Sequence, residues 1–150
     1  MAVDMSALSR MQIGMFFAKN VPITQKQCDD KAKEITGKSV SPTVCQGATS
    51  YTVEAGKDIV QFRVPESLLD MTFMNAIEQA YAEFTPKHRD YGPFHTLRVY
   101  AMNNIGGDSM YLARDYLQKN NYQLLRNTIN SYARFVNISA LTFVSLTLAI

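Results

Sequence analysis

Few residues in this chain are well placed to do chemistry: two histidines (His88 and His95), two cysteines (Cys28 and Cys45), and carboxylates and basic side chains scattered between them. A protein-held metal ion needs several nitrogen, sulfur or oxygen ligands close together. Neither histidine has a neighbouring cysteine or a carboxylate pair at that spacing, so no metal-ligand set is assigned. Two cysteines are too few for a disulfide scaffold, and they read as reduced thiols of a cytoplasmic protein. No serine stands in a nucleophile-elbow motif. Neither a Walker-type phosphate loop nor a dinucleotide fingerprint occurs.

One string imitates a catalytic one. His88-Arg89-Asp90 spells the catalytic triplet of protein kinases, and Asp90-Tyr91-Gly92 imitates their metal-binding triplet. The two share Asp90, and one aspartate cannot both take a substrate proton and hold magnesium from a separate loop. The downstream position that should carry a metal-binding asparagine is His95. The string therefore reads as an exposed polar turn between two strands.

These side chains are carried by a chain of 150 residues, 47% hydrophobic and 19% charged, which suits one globular domain with a real core. A net charge of +2 from scattered Lys and Arg does not make a nucleic-acid surface. No signal peptide is visible, and a cytoplasmic location is expected. Ile138 to Ile150 has no charge but falls short of the roughly 20 residues a spanning helix needs. It is expected to be a buried strand or loose apolar tail rather than a membrane anchor.

Local signals divide the rest. A helix is expected within Ser6–Lys19, with Leu8, Met11, Met15 and Phe16 on its inner face. Thr24 and Gln27 have capping-box spacing and open a second helix, which Gly37 closes. Ser50–Val53 and the alternating run Ile59–Val64 make a hairpin around Ala55-Gly56-Lys57-Asp58. Asp70 caps a helix with the stripe Phe73, Ile77, Ala80, Tyr81 and Phe84, which Pro86 ends. Thr96–Met102 is a strand. Two helices follow, Ser109–Lys119 and Tyr122 to about Phe135, with Leu125, Ile129, Tyr132 and Phe135 or Val136 inward. The resulting fold class is α+β, a small antiparallel sheet with packed helices.

Two blocks carry more information. Gln46-Gly47-Ala48-Thr49-Ser50-Tyr51-Thr52-Val53 leads into the hairpin, whose second strand is Ile59-Val60-Gln61-Phe62-Arg63; Val99-Tyr100-Ala101-Met102-Asn103-Asn104-Ile105-Gly106-Gly107 comes later. In order and spacing this succession resembles the N-terminal lobe of the aminoglycoside phosphotransferase-like family, particularly its fungal kinase-like members, over about Thr24 to Phe135. The resemblance implies a protein-kinase-like N-lobe that binds ATP with magnesium. Gly47 and Ser50 would lie under the phosphates. Arg63 would stand where the family usually has lysine, a planar fork in place of a point charge. Glu78, with Glu83 as second choice, would orient Arg63, and Tyr100 to Met102 would form the adenine hinge. The family's catalytic aspartate and metal-binding asparagine and aspartate belong to a second lobe that has no match here. No catalytic or metal-ligating residue is assigned.

The expected organisation is a helical segment over 1–23, a kinase-like lobe with following helices over 24–135, and an apolar tail over 136–150. The expected function is that of a truncated kinase-like protein without phosphotransferase activity of its own, tied by resemblance to fungal small-molecule or secondary metabolism. Two alternatives stand beside it: an ATP-dependent small-molecule phosphotransferase, and a non-catalytic module whose open face is covered by a protein partner or a second copy.

Overall fold

Alternation along Ile59–Val64 predicts a strand with Val60 and Phe62 on one side and Ile59, Gln61 and Arg63 on the other, and that strand forms. The structure, a computed structural model, describes residues 5–82, 84–107 and 110–147. In it β2 (Ser50–Ala55) and β3 (Asp58–Arg63) make an antiparallel hairpin. Gly56 turns the chain at φ 64°, a left-handed conformation that costs glycine little. A two-residue β1 (Ser41–Pro42) pairs outside β2, while β5 (Leu97–Asn103) pairs with β3 and β4 (His88–Phe94) lies beyond it. The protein is thus α+β, with one five-stranded antiparallel sheet in the order β1-β2-β3-β5-β4.

The chain gathers into two compact units. One holds the residues through Asn75 together with Pro86–Asn104; the other holds Ala76–Thr85 and the residues from Ile105 on. The first contains the whole sheet. Its core is a single sheet face bearing Tyr51, Val53, Val60, Phe62, Leu97, Val99 and Ala101, covered by Phe16 of α1 (Met5–Lys19) and by Cys28 and Ala32 of α2 (Gln25–Thr36). The Phe17 ring meets Tyr51 edge-on at 4.9 Å. Each fully buried valine or phenylalanine side chain contributes roughly 1.5–3 kcal/mol, so this face supplies the main stabilisation of the unit. The Tyr51 hydroxyl donates to Asp29 at 2.7 Å, and burial together with that carboxylate pushes the phenol pKa upward.

The caps form as local chemistry dictates. Thr24 and Gln27 complete a reciprocal capping box, and Gly37 ends α2 at φ 67° with its amide on the Lys33 carbonyl. Asp70 opens α3 (Met71–Ala80) by accepting from the amides of Thr72 and Phe73 at 2.9 and 3.0 Å.

Several expectations are corrected. On α1 the inward residues are Ser9, Ile13, Phe16 and Phe17, whereas Met11 and Met15 are 55% and 51% exposed. Apolar residues occur all round this helix, so periodicity selects no face; the aromatic pair over Tyr51 does. His88 to Gly92 is not a turn but most of β4. Gly92 and Pro93 disguise it, because such residues suit only an edge strand with a bulge, and the register shifts between Asp90 and Gly92. The expected stripe of α3 does not pack as one face: Phe73 is 62% exposed, and the helix ends at Ala80.

In the second unit Tyr81 and Phe84 meet the Phe135 ring at 5.0 and 5.6 Å. Phe135 lies on α5 (Lys119–Thr147), which follows α4 (Met110–Leu117). Asn120, Asn121 and Tyr122 have φ of 51°, 54° and 60°, and they break the chain between Lys119 and Tyr122 where the sequence suggests. Ser109, the expected start of α4, lies outside the described residues. Ile129 and Tyr132, expected inward, are 57% and 67% exposed. The segment from Ile138 to Thr147 continues α5, which corrects the expectation of a strand or loose tail. No Gly or Pro occurs between Lys119 and Thr147 to stop a helix. Among the described residues no helix is long and apolar enough to cross a membrane.

Candidate functional site

Opposite the core face, the sheet carries Ser50 and Thr52 of β2, Ile59, Gln61 and Arg63 of β3, and Arg98, Tyr100 and Met102 of β5. Register places these side chains in rows. Ser50 stands opposite Arg63 and Arg63 opposite Arg98; Thr52, Gln61 and Tyr100 make the next row; Ile59 stands opposite Met102. Directly opposed residues on one face lie close enough to touch.

Three of the expected site residues come together at one end of this face. A Cβ on Gly47 would sit 3.1 Å from the Ser50 hydroxyl, so a side chain at 47 would press on Ser50. Ser50 is buried and faces Arg63 across the ladder. The Arg63 guanidinium is held by its own chain: Nε donates to the Ser67 carbonyl at 2.5 Å and Nη1 to Gln61 Oε1 at 3.0 Å. Ser67 in turn donates to the Thr49 carbonyl at 3.1 Å, and the Val64 amide donates to the same carbonyl at 3.2 Å. The turn after β3 and the loop before β2 are therefore stitched into one edge, with Arg63 beneath it. Among the described residues no carboxylate pairs with Arg63. Arg98, next in the row, is neutralised by Asp90: Nε lies 3.0 and 2.9 Å from the two carboxylate oxygens and Nη2 lies 2.5 Å from one. That pairing, with help from the Gly92 amide, holds the Asp90 carboxyl below its usual range. Asp90, the shared letter of the kinase-like string, is thus consumed in fastening β4 to β5.

Met102 lies at the other end. It is four residues along β5 from the Arg63–Arg98 row, roughly 13 Å at the usual strand rise. The Tyr100 side chain is buried, and its hydroxyl accepts from the Leu69 amide at 3.2 Å, fastening the β3–α3 connection across the sheet. Tyr100 and Ala101 lie inside a strand paired on both sides, which commits their backbone groups to the ladders. The chain leaves the sheet only after Asn103. The Asn104 amide then bonds the Lys57 carbonyl at 2.8 Å, and Gly106 and Gly107 take φ of 73° and 88°. Glu78 is half-buried on the part of α3 that belongs to the second unit. Glu83 lies outside the described residues.

Gln46 belongs to none of the expected site positions. Its side-chain amide donates to the Thr52 and Thr43 carbonyls at 2.7 and 3.0 Å and accepts from the Thr52 amide at 3.0 Å. It serves Thr52 as a strand partner would, and it fixes the entry to the Gly47–Thr49 loop. Its position directly before Gly47 was the available signal; its pairing with Thr52 needs the fold. Among the described residues no group of three or more His, Cys, Asp or Glu side chains is placed to hold a metal ion.

No family model matches the chain, and no curated protein or solved structure matches it.

Proposed function

We propose that this chain is a kinase-like, ATP-binding lobe of the aminoglycoside phosphotransferase-like type. The observation that carries the reading is the arrangement of one sheet face. Gly47, Ser50 and Arg63, which no carboxylate pairs among the described residues, sit at one end; Met102 and the connection to Gly107 begin at the other, roughly 13 Å away by strand rise. An anion-attracting end and a half-buried apolar end on one face suit a nucleotide better than a lone phosphate. Arg63 would take phosphate oxygens with its fork, and magnesium would arrive with the nucleotide. Resemblance alone supports Glu78 as its orienting partner and a fungal small-molecule pathway as the setting. No residue here matches the family's base or metal aspartates, so the reading gives this stretch nucleotide binding and not phosphoryl transfer.

Calorimetric titration with magnesium-ATP tests it, using wild type, Arg63→Lys and Arg63→Ala, each checked for native circular dichroism. The reading expects saturable heat that weakens with lysine and disappears with alanine. No heat from folded wild type, or the same heat from Arg63→Ala, overturns it; turnover of ATP would favour the small-molecule phosphotransferase alternative.

A second reading, a protein-interaction module, rests on α5, where Leu124, Ile129, Tyr132 and Val136 are all exposed. It expects a stable self-complex on sizing that Tyr132→Glu disperses; a monomer at all concentrations counts against self-association.

A further inference from the structure

A groove of about 530 Å³ runs between α1 and the segment Pro42–Val44, built from residues other than those of the nucleotide face. One stripe of α1 forms its length, because residues three and four apart share a helix face. Ser6 and Arg10 lie toward the start of the helix; Ile13, Gly14 and Phe17 follow, with Val44 across from them. The groove therefore has a basic end at Arg10 and an apolar stretch over Ile13, Phe17 and Val44, with Ser9, Gln25 and Thr43 adding polar groups to its lining. Among the described residues Arg10 is the one charged side chain lining it. Nη1 of Arg10 donates to the Ser6 hydroxyl at 3.0 Å, and among the described residues no carboxylate pairs with it.

Gly14 is the second observation. Glycine in a helix interior is destabilising relative to alanine. Close packing does not require it here, since a Cβ at Gly14 would meet nothing within 4 Å. The missing side chain leaves the apolar stretch of the groove open. Ser9 pins the wall by donating to the Thr43 carbonyl at 3.3 Å.

We infer that this groove binds a small amphipathic carboxylate, its carboxylate on Arg10 and its apolar tail over Ile13, Gly14 and Phe17. A guanidinium takes a carboxylate with two parallel hydrogen bonds. From Arg10 to Phe17 the helix rises roughly 10 Å, which suits a tail of medium length.

The test is calorimetric titration of the full chain with octanoate and with its neutral isostere octanamide. Wild type should prefer octanoate by about tenfold or more, the worth of one charge-assisted hydrogen bond. Arg10→Gln should remove that preference, weakening octanoate far more than octanamide. Gly14→Leu should weaken both ligands by about tenfold or more, with native circular dichroism; should leucine disturb folding, Gly14→Ala carries the same test with a smaller loss. Magnesium-ATP should not displace octanoate, which separates this site from the nucleotide reading. Equal binding of the two ligands to wild type, no saturable binding of either, or undiminished octanoate binding by folded position-14 variants overturns the proposal.

Discussion

Replacing Gln46 with alanine removes the side chain that stands in for a β-strand beside Thr52. β1 ends at Pro42, and the Thr52 amide donates to Gln46 Oε1 at 3.0 Å in place of a strand carbonyl. The Thr52 carbonyl keeps a second donor in the Thr43 amide, at 3.1 Å, and the Thr43 carbonyl keeps the Ser9 hydroxyl, at 3.3 Å. The cost therefore falls on one buried N–H left without a partner, ~1–3 kcal/mol. Taking about 2 kcal/mol, the midpoint of thermal unfolding should fall by ~4–8 °C for a chain of this size. Gln46→Glu sharpens the test. Its carboxylate would face the carbonyls of Thr43 and Thr52, which raises the folded-state pKa above the unfolded value of ~4.3. The protonated acid keeps an acceptor for the Thr52 amide and one O–H donor in place of the two N–H donors of glutamine. The penalty relative to wild type should thus be small below that unfolded value and grow as pH rises through the folded pKa. Urea unfolding across the acid range, with amide exchange followed at Thr52, reads both effects. Unchanged stability and unchanged exchange in Gln46→Ala, or a pH-independent penalty in Gln46→Glu, would refute the clamp.

Three further outcomes follow from the same structure. Burial, aided by the charge of Asp29, pushes the Cys28 thiol up to about 12, whereas Cys45 is exposed; a thiol-specific reagent should label one cysteine in native protein, and rapid labelling of both would contradict the packed α2–sheet core. The lowered Asp90 pKa contributes stability that is complete above the unfolded carboxylate value and lost as pH falls through the lower folded one; the gap in urea midpoint between wild type and Asp90→Asn should therefore close in strong acid, and a gap that persists there would mean the Arg98 ion pair is not its source. Thr24→Ala removes the capping box and should cost about 1 kcal/mol, read by chemical denaturation; an unchanged midpoint would mean that packing alone holds the start of α2.

What the sequence determined by itself lies within a few residues of its own signal. The Thr24–Gln27 box, the Gly37 stop, the Asp70 cap and the turn at Gly56 each close a hydrogen bond or turn over two to four positions. The neighbouring side chains leave no competing choice, and alternation along Ile59–Val64 gave the two faces of β3 for the same reason. Only the tertiary structure decided the rest, because the deciding neighbour is distant in sequence. The face that α1 buries depends on Tyr51. β4 exists because β5 offers it an edge. Register sets Asp90 opposite Tyr100, from where it reaches Arg98 two positions along β5, whereas among the described residues no carboxylate reaches Arg63. The site shows the same division: Gly47 and Ser50 could be read as neighbours from their spacing, but their meeting with Arg63, and the distance from Arg63 to Met102, are properties of strand pairing.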